Sequence, residues 1–479
     1  MPAVSFSSVV SLALSVAWVL SLAFIPLVLL RKKEPASTFA WILVLLAFPA
    51  LGVVLFWYLG RDRVRRPLRT RKVVNQSLRS RLIERVSNAG GREELRALVE
   101  GAPPELRGVM RLAASMGRAE VRKGNAVDVL VGAPPTYDAL VLAIEAARDH
   151  VHLQYFVFRA DGVGSRIVRA LEAAVDRGVE VRLLYDGFGS AGLGRHLRVL
   201  RQKGGRSAAF FPLDPIRKAA TINLRNHRKL VLVDGRIGFC GGVNVADAFV
   251  PWRDVHLRVE GPAVSQLAAV FVEDWFFATR EDLANDRYVK SSCAAAGTTT
   301  MQIVESGPDQ TLERIHRLYF AAIAAAQTRV WVTTPYFVPD RAIFVALTTA
   351  AARGVDVRVL TNAHSNWSIT QYAGRSFYED LLAAGVRVLE HEGEMLHTKT
   401  LEIDGRIAIV GSANVDVRSF RLNFELVAVL YDEAIVRKLE ALFEEDAAHA
   451  TEISATAWAE RGIGERLMEG VGKLMSPML

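Results

Sequence analysis

The sequence predicts an α/β protein built from two α/β halves in pseudo-two-fold relation, preceded by an N-terminal two-helix membrane hairpin. Three observations carry this reading. The histidine, lysine, aspartate and glycine of Asn226–Gly235 recur at identical offsets in Leu396–Gly405. Strand and helix patterns alternate in the same order around each copy. Two long apolar runs without a charge open the chain.

Those runs are Val9 to Leu30 and Thr38 to Gly60. Each is long enough for ~30 Å of hydrocarbon, and Trp41, Trp57 and Tyr58 suit interfacial positions. A cleaved signal peptide is excluded by the uncharged start, the lack of a small-residue cleavage site and the second run close behind. Pro26 and Pro49 leave a kinked or re-entrant pair open. Arg31, Lys32 and Lys33 lie between the runs, and Arg61, Arg63, Arg65, Arg66, Arg69, Arg71 and Lys72 follow the second. The larger basic cluster predicts that the body which follows it lies on the cytoplasmic side of a membrane crossed by both runs. It also suits anionic headgroups.

The expected organisation is a transmembrane hairpin over 1–60, a basic juxtamembrane connector over 61–125, α/β halves over 126–290 and 291–447, and a helical tail over 448–479. The 479 residues hold 59 Lys and Arg against 51 Asp and Glu, a net charge of +8, which favours an anionic membrane or nucleic acid as partner. Cys240 and Cys293 are the two cysteines, too few for a disulfide framework or a zinc site. In the connector, Gly90-Gly91 and Pro103-Pro104 break a helix-prone stretch.

The halves then run in parallel. Ala126–Val131, a helix around Tyr137–Arg148 and Val151–Phe158 match Thr300–Val304, a helix around Leu312–Ala325 and Val330–Val338. Val179–Leu184 matches Val355–Leu360. Strands alternating with helices predict a parallel or mixed sheet covered on both faces. In the tail, Trp458, Ile463, Leu467, Val471 and Leu474 recur at helical spacing and predict an amphipathic helix packed on the body.

The duplicated stretch carries the chemistry. Leu230–Val233 and Thr400–Ile403 read as strands, and Asp234-Gly235 and Asp404-Gly405 as type I′ turns. Residues two apart on a strand share a face, so His227 pairs with Lys229 and His397 with Lys399. A tight turn sets His227 opposite Gly242 and His397 opposite Ser412, with Asn244 and Asn414 at the same end. Asp234 lies roughly 20 Å along the strand from His227, which makes it and Asp404 turn-formers.

The doubled His-x-Lys-x4-Asp, with Gly-Gly-x-Asn or Gly-Ser-x-Asn downstream, resembles the phospholipase D superfamily. Arg225–Lys229, Gly241–Asp247, Pro251–Asp254, Asp274-Trp275, Thr334–Phe337, Gly411–Ser419 and Ser476-Pro477 look like bacterial cardiolipin synthases. That resemblance implies phosphatidyl transfer between two phosphatidylglycerols, giving cardiolipin and glycerol through a phosphohistidine. It implies catalytic roles for His227, Lys229, His397 and Lys399, and its signature includes Asp234 and Asp404. Asn244, Asn414, Ser412 and Gly242 become phosphate-binding positions. Asp254 follows His227, and Glu425 follows His397, at nearly equal separation, and the resemblance implies that each carboxylate orients the nearer motif histidine, His227 for Asp254 and His397 for Glu425. No metal or other cofactor is needed, since the lysines supply the positive charge. The expected partners are phosphatidylglycerol and cardiolipin, not nucleic acid, and self-association stays open. The rival within the superfamily is a phosphodiesterase or nuclease using the same motifs.

Gly187–Gly192 formally fits a dinucleotide fingerprint but lacks the acidic partner on a following strand, so it reads as a loop near the site. His391-Glu392 lacks the zinc-protease spacing. No Gly-x-Ser-x-Gly elbow occurs, which argues against a serine hydrolase.

Overall fold

A computed structural model describes residues 6–30, 35–56, 76–86, 91–116, 119–212, 223–289, 293–310 and 312–476. The basic residues Arg31–Lys33 and Arg61–Lys72, and Trp57 and Tyr58, lie outside them. The chain separates into two compact units, Met1–Arg66 and Pro67–Leu479.

In the first unit the apolar runs differ from the expected pair of spans. One helix covers Phe6–Leu29, with Pro26 inside it. The second run breaks at Phe48-Pro49 into helices Pro35–Ala47 and Pro49–Leu55. Proline at the first helical position starts a helix readily but cannot continue one. The 13-residue helix is ~20 Å long. Among the described residues, no helix is long and apolar enough to cross a membrane. Val28, Leu45 and Phe56 are buried together, and Phe56 makes edge contacts with Phe24 and Trp41. The buried Ser21 hydroxyl donates to the Leu45 carbonyl.

The second unit is organised by one mixed sheet. Its first run of strands is β1 (Arg122–Val131), β2 (His150–Tyr155), β3 (Glu180–Asp186), β4 (Arg206–Phe210), β5 (Arg225–Asn226), β6 (Leu230–Val233), β7 (Ile237–Gly241) and β8 (Val255–Glu260). The second run is β9 (Thr299–Ser306), β10 (Arg329–Thr333), β12 (Asp356–Asn362), β13 (Arg387–His391), β14 (Thr400–Ile403), β15 (Ile407–Gly411), β17 (Asn423–Leu430) and β18 (Ala450–Glu452), while β11 (Phe337–Val338) and β16 (Val415–Asp416) pair with each other in a separate two-stranded sheet. Across the sheet the order is β4-β3-β2-β6-β7-β8-β1, then β9-β17-β15-β14-β10-β12-β13-β18. Reading outward from the β1–β9 seam, both runs have one order, antiparallel strands and then parallel ones, and the second adds antiparallel β18 at its edge. The parallel strands are buried and joined through helices such as Gly162–Asp176 and Arg341–Ala352.

The connector is more than a linker. Helices cover 76–86, Gly91–Gly101 and Pro104–Ser115. Leu106, Val109, Met110 and Ala113 enter the core formed by the second run of strands and the helix Arg314–Ala325. Their spacing puts them on one helical face, so burial fixes this segment to the body.

The tail also packs on the body, but not by its apolar stripe. Trp458 packs against Tyr378 with the rings tilted and their centroids 5.1 Å apart. Gly472 of the helix Ile463–Met475 lies against the backbone of Tyr372 and Ala373, where an added Cβ would come within 2.5 Å of the Ala373 nitrogen. The small residue permits the close approach. Ile463, Leu467 and Leu474 face outward, 80%, 66% and 81% exposed.

Candidate active site

Both duplicated hairpins form. Asp234, Gly235, Asp404 and Gly405 all have positive φ, and the Arg236 and Arg406 N–H groups donate to Val233 and Ile403 carbonyls. That is the expected I′ turn. The strands, however, oppose Val233 to Ile237 and Ile403 to Ile407, one residue beyond a two-residue loop. The expected opposition of His227 to Gly242 and of His397 to Ser412 therefore shifts by one.

The motif aspartates sit at these turns and tie down neighbouring strands. Asp234 accepts from the N–H groups of Arg148, Asp149 and His150 at 3.0, 2.8 and 3.0 Å. Asp404 accepts from Gln327, Thr328 and Arg329 at 2.9, 2.7 and 2.9 Å. Part of the family signature, they hold the turn positions expected of them, and each anchors its hairpin to the start of β2 or β10.

The histidines enter one cavity of about 490 Å³, lined by residues of both runs. Each is held by the opposite run. The His227 N–H donates to the Phe424 carbonyl at 2.9 Å, and the His397 N–H to the Arg253 carbonyl at 2.6 Å. Phe424 and Arg253 immediately precede Glu425 and Asp254. The backbone contact therefore delivers each carboxylate to the other half's imidazole. His227 Nδ1 lies 3.0 Å from Glu425 Oε2, and His397 Nδ1 lies 2.6 Å from Asp254 Oδ2. The expected pairing within halves is corrected to a crossed one. With Nδ1–H donated to a carboxylate, Nε2 of each ring keeps its lone pair for the cavity.

Burial dominates the electrostatics. It lowers the His227 pKa against the pull of Glu425. Burial and the charge of Lys399 push His397 to about 3 despite Asp254. Burial would raise both carboxylates. Lys399 and His397 outweigh it at Asp254, and His227 and Lys229 do so at Glu425, so both stay below the usual range. Burial brings Lys229 down to about 7 and Lys399 to about 8. Each Nζ donates to the carbonyl of its motif histidine, at 2.7 Å for Lys229. Lys399 Nζ also lies 3.0 Å from His397 Nδ1.

Asn244 and Asn414 line the cavity as expected. Asn244 Oδ1 accepts from the Val157 N–H. Gly242 and Ser412 serve the carboxylates instead. The Ser412 hydroxyl donates to Glu425 Oε2 at 2.5 Å. A Cβ at Gly242 would lie 2.0 Å from Asp254 Oδ1, so only glycine leaves that carboxylate its place.

Several site residues escaped the sequence reading. Phe156 stands 4.9 Å from the His227 ring and Trp252 5.0 Å from His397. Phe188, from the glycine-rich loop after β3, lines the cavity with Tyr336, Trp367, Arg225 and Arg418. Arg228, between His227 and Lys229, points the opposite way. It is fully buried, 2.8 Å from Asp274 and 3.2 Å from Glu305, and donates to the Glu425 carbonyl. Strand alternation was the available signal for Arg228, the glycine-rich loop the signal for Phe188, and the motifs Pro251–Asp254 and Thr334–Phe337 that for Trp252 and Tyr336.

The arrangement presents two neutral imidazole nucleophiles or bases, each backed by a carboxylate, with two buried lysines beside them. It suits in-line displacement at a phosphorus centre. Comparison with known proteins agrees. A family model described as "Cardiolipin synthase, PLD-like domain" matches residues 140–275 and 319–447. A second, "Phospholipase_D-nuclease N-terminal", matches residues 27–61. Cardiolipin synthase of Oceanobacillus iheyensis is 37% identical over 98% of this chain and 100% of its own length. That of Geobacillus kaustophilus is 36% identical over 96% and 92%. The crystal structure of phosphatidylserine synthase from Haemophilus influenzae shares the fold, with TM-score 0.60 at 13% identity over 78% of this chain and all of the other.

Proposed function

Because the chain belongs to the phospholipase D-like cardiolipin synthase family, we propose that it moves a phosphatidyl group from one phosphatidylglycerol to a hydroxyl of another. The products are cardiolipin and glycerol. The observation that carries the reading is the pair of buried imidazoles facing one cavity, each backed by a carboxylate from the opposite run.

His227 Nε2 attacks the phosphorus of the first lipid, an assignment that rests on the family resemblance. The bond to the glycerol oxygen breaks, and His397 gives that oxygen a proton. A hydroxyl of the second lipid then attacks the same phosphorus, its proton passes to His397, and the phosphorus–Nε2 bond breaks. Before substrate binds, burial favours the neutral form of both imidazoles, so the acid must gain its proton as substrate binds. The arriving phosphodiester anion offsets the field of Lys229 and Lys399, which favours imidazolium at His397. The same anion keeps the lysines charged against its non-bridging oxygens. Asn244 and Asn414 add donors from the cavity wall.

Water must compete poorly, or phosphatidic acid would result. Phe156, Phe249, Trp252 and Trp367 supply an apolar rim. The repeated strand order supports two halves in pseudo-two-fold relation, with the site where the hairpin ends meet. The apolar N-terminal segment and the basic residues after it support an anchored, multi-pass inner-membrane protein with a cytoplasmic body. The outward apolar stripe of the tail supports a lipid-facing body too. Its helix packs on Ser368–Arg375, which contributes Ile369 and Thr370 to the cavity.

The test is product analysis of purified protein given labelled phosphatidylglycerol alone, with acid quench and mass spectrometry of the protein. Cardiolipin, free glycerol and a histidine adduct are expected. Phosphatidic acid as the sole product, or DNA cleavage at rates matching lipid turnover, would replace this reading with the hydrolase or nuclease one.

A further inference from the structure

We propose that Arg225 and Arg418 form an anion subsite beside the histidines that holds the phosphodiester of the acceptor lipid, an inference resting on the transferase reading above. The first displacement needs one phosphate at the histidines and lysines. The second needs another lipid, whose own phosphate is separated from the attacking hydroxyl by a three-carbon glycerol unit. That second anion requires its own cations close to the first.

The structure supplies them. Arg225 precedes His227 by two residues in extended chain, so the two side chains share a face and their Cα atoms lie roughly 6–7 Å apart. Pairing of β5 with β17 sets Arg225 opposite Asn423 and brings it to the opposite half. Arg418 comes from that half, just after Asn414. The two guanidiniums are steadied on consecutive carbonyls of one stretch: Arg418 Nη2 donates to Asn223 at 3.1 Å, and Arg225 Nη1 to Leu224 at 2.8 Å. Arg225 also lies 4.1 Å over the Phe188 ring. Both arginines are half-buried, and both line the cavity that holds His227 and His397.

Their mutual charge is felt: after burial, with Asp186 opposing, Arg418 is a cause of the lowered Arg225 pKa. The Asp186 carboxylate is itself engaged by the N–H groups of Asn226, Phe188 and Gly189. Two like charges from opposite halves, gathered at a cavity wall, are offset by an anion seated between them. Guanidinium suits a phosphodiester through paired N–H donors.

The experiment is a partition within one reaction. Full-length protein in phosphatidylglycerol vesicles receives isotopically labelled glycerol, a neutral acceptor. The phosphatidyl-enzyme then yields cardiolipin from the anionic acceptor or labelled phosphatidylglycerol from the neutral one. Both products share the first step, so their ratio reports the second alone. Arg225→Gln and Arg418→Gln should each lower the cardiolipin share at least tenfold relative to exchange, with Arg→Lys restoring part of it. Loss of folded protein lowers both products together and cannot mimic this shift. An unchanged ratio in both Gln variants would overturn the subsite. If a Gln variant yields neither product, the corresponding Lys variant decides, since it too must shift the ratio. Wild-type protein making neither product would instead remove the transferase reading beneath it.

Discussion

Crossed pairing makes a prediction that within-half pairing reverses. Glu425 should behave as part of His227, and Asp254 as part of His397, although each pair joins distant positions in the chain. The perturbations are Glu425→Gln and Asp254→Asn, which keep shape and remove charge. The contacts are short, 3.0 and 2.6 Å, and buried, so solvent does not screen them. A hydrogen bond to a charged group is worth ~1.5–3 kcal/mol. At 1.36 kcal/mol per decade, turnover should fall about ten- to a hundredfold in each variant. The discriminating assay compares natural phosphatidylglycerol with an ester whose leaving group needs no proton, such as a phosphatidyl p-nitrophenol. A defect in the general acid is bypassed by that substrate, and a defect in the nucleophile is not. Asp254→Asn should then share the response of His397→Ala, and Glu425→Gln that of His227→Ala. This correspondence holds whichever histidine attacks. If Asp254→Asn instead tracked His227→Ala, the crossed geometry would not be the working one.

Three further outcomes follow from the same geometry. The lysine cations are acid forms lost as pH rises, and burial brings them to about 7 and about 8, so kcat/KM should decline above neutrality and not near the usual lysine value; a pH profile flat to pH 10 would refute it. Gly242→Ala puts a Cβ against Asp254 and should cut turnover at least tenfold with little change in thermal midpoint, whereas Ser412→Gly, which copies the other half, should cost severalfold at most. Asp234→Ala loses three backbone hydrogen bonds and a residue suited to positive φ, so it should destabilise by about 1–3 kcal/mol while surviving folded protein keeps its turnover; denaturant titration beside active-site counting separates the two.

Much was legible before the structure, because repetition and period are local properties. Apolar alternation and Asp-Gly turns determined the hairpins, and the spacing of His227 from Asp234 already made the aspartates turn-formers. The strand–helix order determined two equivalent runs of sheet. Equal spacing in two copies is also where the sequence stops. Asp254 stands to His227 much as Glu425 stands to His397, and a repeat cannot say whether partners are taken from the same half or exchanged. Only the pairing of β5 with β17, and of Arg253 with Leu396, decided the exchange. The lysines, Gly242 and Ser412 were placed by type at the phosphate, and the fold set them beside the histidines and against the carboxylates. The tail's stripe was expected to pack, and Gly472 turned it outward, since the closest approach is available where a side chain is missing. Sequence period states which residues share a face. Which face meets which neighbour is settled by through-space packing between segments far apart in the chain, 143 and 198 residues for the two crossed pairs.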